Sequence, residues 1–148
     1  RHELLLRNRE IPRPGLYRRQ EEIAMTKWLG LAAGGLLGTF ARYFLAGAVH
    51  RFWGATFPFG TLVVNLTGCF AIGFLAVLAE EKFLLGPTAR VFLMIGFCGA
   101  FTTFSTFIFE TANLTKDGET LSALMNIVLS VVLGFLVFRL GVILARAL

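Results

Sequence analysis

Asn65 stands four residues after Thr61 and three before Gly68 in an otherwise apolar run, and similar polar insertions recur along the chain. Gly30, Gly34, Gly38 and Arg42 step by four. Gly96-Phe97-Cys98-Gly99-Ala100 leads into Thr102-Thr103-Phe104-Ser105-Thr106-Phe107, and Glu110 follows Phe107 by three. Asn126, Ser130 and Gly134 again step by four, ahead of Arg139. Lipid does not satisfy amide, hydroxyl or carboxylate groups, so in such surroundings they face a bundle interior or a water-filled path. Their chemistry is hydrogen bonding, to one another or to an ion. No nucleophile–base set, Gly-rich phosphate loop or metal cluster accompanies them, so an enzyme is not expected. Cys69 and Cys98 lack a CxxC pattern and a nearby His, and read as buried structural thiols.

Each polar position has a structural reading beside the functional one. The Gly30–Gly34–Gly38 face lets two backbones approach closely, with Arg42 at its end, either snorkelling to headgroups or standing at a pore mouth. Asn65 is a donor to an ion or a helix–helix hydrogen-bonding group. In the third run, two glycines beside a β-branched, hydroxylated stretch make poor helix. A break there frees carbonyls that must face a cavity or an ion. The alternative is a continuous helix whose Ser and Thr bond back to their own carbonyls. Phe104 and Phe107 share a face, as core packing or as part of a path that ends at Glu110.

The elements that must position these residues are membrane spans. Of 148 residues 56% are apolar and 16% charged, against about 45–50% and about 25% in a soluble domain. A hydrocarbon layer about 30 Å thick needs about 20 mostly apolar residues, and four segments qualify: residues 28–49, 59–79, 88–109 and 121–144. The connections 50–58, 80–87 and 110–120 are short and carry the breakers Phe57-Pro58, Gly86-Pro87 and Asp117-Gly118. An all-α membrane protein of four helices follows, with its channel-forming unit at residues 25–148. Residues 1–24 are of another composition. They hold Arg1, Arg7, Arg9, Arg13, Arg18 and Arg19 around the cluster Ile11-Pro12-Arg13-Pro14-Gly15. They read as a disordered or non-native extension, or else as an amphipathic anchor. The net charge of +5 forms no clustered basic face, so nucleic acid is not expected as a partner.

Two stretches are more specific. Phe57-Pro58-Phe59-Gly60-Thr61-Leu62-Val63-Val64-Asn65-Leu66-Thr67-Gly68-Cys69-Phe70 and the segment from Gly96 to Phe107 closely resemble the signature segments of the Fluc (CrcB) fluoride-channel family. Gly34-Gly35-Leu36-Leu37-Gly38 with Arg42-Tyr43 is similar as well. The resemblance covers essentially all of residues 25–148 and none of the first 24. It implies an antiparallel, dual-topology homodimer with two pores along the subunit interface, in the bacterial inner membrane. It implies that Asn65, Phe104 and Phe107 line the pore, with Thr61, Glu110 and Ser130 along the ion path. Asn126 falls where some members have an aromatic. Gly99 and Thr102 match positions of a third helix broken near the midplane, whose carbonyls hold a central sodium ion shared by both subunits. Ala100 stands where Gly is common.

Elementary chemistry agrees with that set. Fluoride is small and strongly hydrated, and leaves water only for donors that replace its shell, such as amide N–H and hydroxyl groups. A Phe ring is positive at its edge and touches an anion without the trap a basic residue would make. Conduction needs binding strong enough for entry and weak enough for exit, and a cation near the midplane adds positive potential. Charge bears on orientation. In a count that starts at Met25, Lys27, Lys82, Arg90 and Arg146 lie on one side and Arg51 and Lys116 on the other, a weak bias that permits both insertions. Adding the six Arg of residues 1–24 makes ten against two, which favours one orientation. Two other readings compete. A proton-coupled small multidrug-type exporter would want its essential Glu in the first span, whereas Glu110 follows the third. A structural membrane subunit would use its polar faces only to join helices.

Overall fold

The computed structural model describes the backbone of residues 14–148 and the side chains from residue 21. Helix α1 is Pro14–Trp53. Helix α2 is Phe59–Ala76, prolonged by a π-helical turn at Val77–Glu81. Helix α3 covers residues 87–101, as an α-turn at Pro87–Arg90, a π-helical stretch at Val91–Cys98 and an α-turn at Gly99–Phe101. Helix α4 is Phe104–Lys116 and α5 is Thr120–Ala147. Among the described residues, four spans are long and apolar enough to cross a membrane, Glu21–Trp53, Phe59–Glu81, Pro87–Lys116 and Thr120–Ala147. Between 11% and 33% of their most apolar windows is buried within the protomer. The remaining apolar surface is far more than water tolerates and requires lipid or another protein against it.

Two boundaries differ from the sequence reading, and the break in the third span overlaps the stretch it named at Thr102. Of the 1–24 extension, residues 1–13 lie outside the described residues, while residues 14–24 are helical and continuous with the first span. Pro14 opens that helix, where its missing N–H is not needed, and the Arg, Gln and Glu that follow are good helix formers. The third span runs past Phe109 to Lys116, so Glu110 sits inside a helix and not in the connection 110–120. No breaker appears before Asp117-Gly118, where Gly118 takes φ 83° and turns the chain. Within the third span, Gly99 is itself helical, and the residues that leave helical geometry are Thr102 (φ −83°, ψ 158°) and Thr103 (φ −149°, ψ 115°).

The helices meet where side chains are smallest. A Cβ placed on Gly34 or Gly38 would fall onto the carbonyl of Phe92 or Phe97, so α1 lies backbone on backbone against the π-helical part of α3. Gly96 completes that seam from the other side, against the carbonyl of Leu31 and the Cα of Gly34. Gly30 is looser, with its nearest neighbours 3.8 Å from such a Cβ. Helices α2 and α5 form a second seam, Gly73 against Phe138 and Gly141 against Phe70, above a core of Val77, Val142 and Ala145. In lipid no hydrophobic force draws helices together, so close van der Waals approach at small residues supplies the attraction. The second connection is pinned twice. Arg90 donates to the carbonyls of Leu85 (2.9 Å) and Ala79, and Arg146 pairs with both oxygens of Glu81.

Candidate functional site

The site begins with Asn65, half-buried on α2. Its Nδ2 donates to the carbonyl of Thr103 at 3.1 Å, and its Oδ1 accepts the N–H of Thr103 at 2.8 Å. The side-chain amide thus pairs with one residue of backbone as a neighbouring strand would, and this pairing satisfies an extended residue inside a membrane-length helix. Because the N–H of Thr103 is spent on Asn65, the Gly99 carbonyl lacks the donor that a continuous helix would give it. Thr103 also caps α4, its Oγ1 accepting the N–H of Thr106 at 3.3 Å. That N–H would otherwise reach the carbonyl of Thr102, so both carbonyls to which the family resemblance points are released from the helical ladder. The amide of Thr102 still bonds Cys98 (3.0 Å), as does its hydroxyl (2.9 Å).

Two open cavities flank this clamp, and Thr103 lines both. One, of about 900 Å3, is lined by Arg42, Tyr43, His50, Thr61 and Glu110 among others. The other, of about 390 Å3, is lined by Asn65, Gly99, Thr102 and Phe104 together with Gly68 and Cys98. In the first, Thr61 Oγ1 donates to Glu110 Oε1 at 2.8 Å. Glu110 Oε2 and Ser130 Oγ are buried with no hydrogen-bond partner among the described residues. Each is therefore an uncommitted polar group of the sort a transient ion or water satisfies. Arg42 is half-buried and makes no hydrogen bond or ion pair within the described protomer.

The phenylalanine pair divides. Phe107 is 7% exposed and Phe104 75% exposed, with ring centroids 5.7 Å apart and planes at 43°. One ring is thus held inside the protomer while its neighbour is presented outward. Gly99 is exposed beside it. Asn126 is 1% exposed and lines neither cavity, its Nδ2 donating to Thr111 Oγ1 at 2.9 Å. Phe107 and Ser130 also line neither, and Gly34 and Gly38 serve the packing seam rather than a cavity.

Sequence reasoning missed two residues. Thr103 passed as one of several threonines, and the signal available was its place at the N-cap of α4. Thr111 was overlooked, although a Thr four residues after Phe107 on a helix is placed to bond that residue's carbonyl.

Comparison with known proteins bears on this arrangement. The profile of the CrcB-like proteins, described as Camphor Resistance (CrcB), matches residues 29–142. A fluoride-specific ion channel FluC of Desulforapulum autotrophicum is 48% identical over 120 residues, covering 81% of this chain and 96% of the relative. Others of that name from Sulfurihydrogenibium sp. and Citrifermentans bemidjiense are 41% and 44% identical over 124 residues, each covering 84% of this chain and the whole relative. The matched span contains every residue of the two cavities and both glycine seams.

Proposed function

This chain belongs to the CrcB-like family, and from that membership we propose that it conducts fluoride passively and selectively, exporting it from the cytoplasm down its gradient. It is a multi-pass protein of the bacterial inner membrane. The observation that carries the reading is the Asn65 amide, half-committed to Thr103, beside the outward Phe104 in one cavity, with the unpaired Arg42 lining the adjoining one. A side-chain amide has two N–H bonds, and Asn65 spends one on Thr103, which leaves one for an anion. The ring edge of Phe104 meets an anion there without a fixed positive charge. Phe107 and the unpartnered Ser130 hydroxyl line neither cavity and enter the path in this proposal from family membership alone.

In this proposal the functional unit is a homodimer of oppositely oriented protomers. The exposed Phe104 and Gly99 face the second subunit, and each pore is completed there. A closed two-fold pair buries the same surface on both copies. Counted from Met25, the charge asymmetry across the spans is weak, and on that count insertion in both orientations is permitted. The proposal includes one sodium ion at the two-fold axis. Gly99 and Thr102 would hold it, their carbonyls being the ones without helical donors, and two oxygens from each protomer suit a hard monovalent cation. When bound it supplies positive potential beside the anion path.

Flux from liposomes tests the proposal. Purified protein should release fluoride, read by an electrode, and should release far less chloride from the same preparation. Phe107→Ile keeps an apolar side chain of similar size and should lower stability by less than about 1.5 kcal/mol. It removes the electropositive ring edge, and a transition barrier raised by about 1.4 kcal/mol lowers flux about tenfold. Equal chloride and fluoride flux in the parent would overturn the assignment, and full flux in Phe107→Ile would remove the ring from the path. Export of organic cations that collapses with a protonophore would instead support the small multidrug-type reading.

A further inference from the structure

A chain of two hydrogen bonds links α5 to the turn of α4 that carries the inner phenylalanine. Asn126 Nδ2 donates to Thr111 Oγ1 (2.9 Å), and Thr111 Oγ1 donates to the carbonyl of Phe107 (2.7 Å). Asn126, Thr111 and Phe107 are 1%, 8% and 7% exposed, so neither bond competes with bulk water. We infer that Asn126 is a positioning residue for Phe107, acting through the Thr111 hydroxyl, and does not itself contact the permeating ion. The inference rests on the fluoride-channel reading for its functional consequence and on these distances for its geometry.

The physical reason begins with the hydroxyl. A Thr that bonds back to the carbonyl four residues earlier stays inside its own helix and fixes nothing beyond it. Here the same oxygen accepts from the neighbouring helix. Accepting polarises the O–H and strengthens its donation to Phe107. The link therefore fixes the rotation of α4 about its axis at one turn. Side chains extend about 5–6 Å from a helix axis, so a rotation of about 20° carries a ring edge about 2 Å. Such a shift is enough to change a contact that depends on ring orientation. Glu110 precedes Thr111 directly and is carried by the same rotation. Its bond to Thr61 is a second restraint on the same turn, at the edge of the larger cavity. Asn126 is the buried anchor.

The test pairs flux with a probe of the ring that needs no conduction. Phe107 is replaced by a ring-fluorinated phenylalanine and its 19F resonance is recorded in the reconstituted full chain. Thr111→Val keeps the branched shape and removes the hydroxyl, Thr111→Ser keeps the hydroxyl, and Asn126→Leu removes the donor. The inference expects Thr111→Val and Asn126→Leu each to move the resonance and lower fluoride flux about tenfold. Thr111→Ser should retain parental signal and flux within about twofold, and the double variant should be no worse than either single one, since the groups act as one unit. Lowered flux in Asn126→Leu with an unmoved resonance and a normal Thr111→Val would mean that Asn126 meets the ion directly, which overturns the inference. An unmoved resonance in both variants overturns it too. Should Thr111→Val fail to assemble, Asn126→Leu with Asn126→Gln as its donor-retaining control decides by the same two readouts. If the parent conducts no fluoride, the channel reading fails, and the resonance still decides whether Asn126 positions the ring.

Discussion

The third span is held at its two ends by different physics. Along Val91–Cys98 it lies against α1 through Gly34, Gly38 and Gly96, backbone on backbone. At Thr102 and Thr103 it is held by side chains instead: Asn65 pairs with the Thr103 backbone, and Thr103 caps the helix that follows. The first contact depends on the absence of atoms. Any added carbon collides with backbone, which has no rotamer into which to retreat. The second depends on the identity of atoms, because a donor and an acceptor must stand in fixed places. A scaffold built the first way tolerates no growth, whereas a site built the second way tolerates growth better than a change of polarity.

The seam gives the largest expected effect. Gly38→Leu sets a branched side chain on the Phe97 carbonyl, with the Phe101 amide 3.1 Å from the first added carbon. Overpacking of a tight core costs about 1–3 kcal/mol, and more where backbone must move, so folded protein should be nearly absent by size-exclusion after detergent extraction. Recovery of Gly38→Leu at the parental level with an unchanged melting temperature would mean that the seam is not a rigid contact.

The clamp gives the next. Asn65→Asp preserves size and can still accept the Thr103 N–H, but its second oxygen faces the Thr103 carbonyl with no hydrogen to give. An orphaned buried acceptor costs about 1–3 kcal/mol, and the added negative charge opposes an anion in the same cavity. Fluoride efflux should drop by about tenfold to a hundredfold, while folded protein is still recovered. Parental efflux would show that the Asn65 amide neither holds the interruption nor meets the ion.

How much of this was legible in the sequence follows the same division. The spans were, because length and apolar composition report directly on the bilayer, and so was the Gly34–Gly38 face, because a four-residue step places residues on one side of a helix. The meeting of Thr61 with Glu110 and of Asn65 with Thr103 joins residues 49 and 38 positions apart, and no local periodicity encodes such a pairing. The interruption was legible at Thr102, which the sequence reading named with Gly99, but not at Thr103. Glycine suggested Gly99, which stays helical, while the turn falls at two threonines because Asn65 offers the second of them a substitute for helical hydrogen bonds. Gly73 and Gly141 stand in different helices without a motif, so the seam between α2 and α5 appears only when the helices are seen side by side.

The smallest expected effect has the opposite sign and tests whether the α1 seam is one-sided. Gly35 is adjacent in sequence to Gly34, yet nothing lies within 4 Å of a Cβ placed on it. An added methyl group there meets no backbone, and alanine loses less conformational freedom than glycine on entering a helix. Gly35→Ala should therefore stabilise the protein by about 0.4–1 kcal/mol, whereas Gly34→Ala, one position away, should destabilise it by forcing apart the backbones of α1 and α3. The melting temperatures of the two variants, taken side by side in one detergent, should move in opposite directions from the parent. A fall in both would place a second close neighbour on the Gly35 side of α1, and in a protomer whose spans are mostly uncovered that neighbour would be another copy of the chain. A rise in both would mean that the helices separate at Gly34 without loss, and the distinction between a seam that tolerates no growth and a clamp that tolerates no change of polarity would fail at its first term.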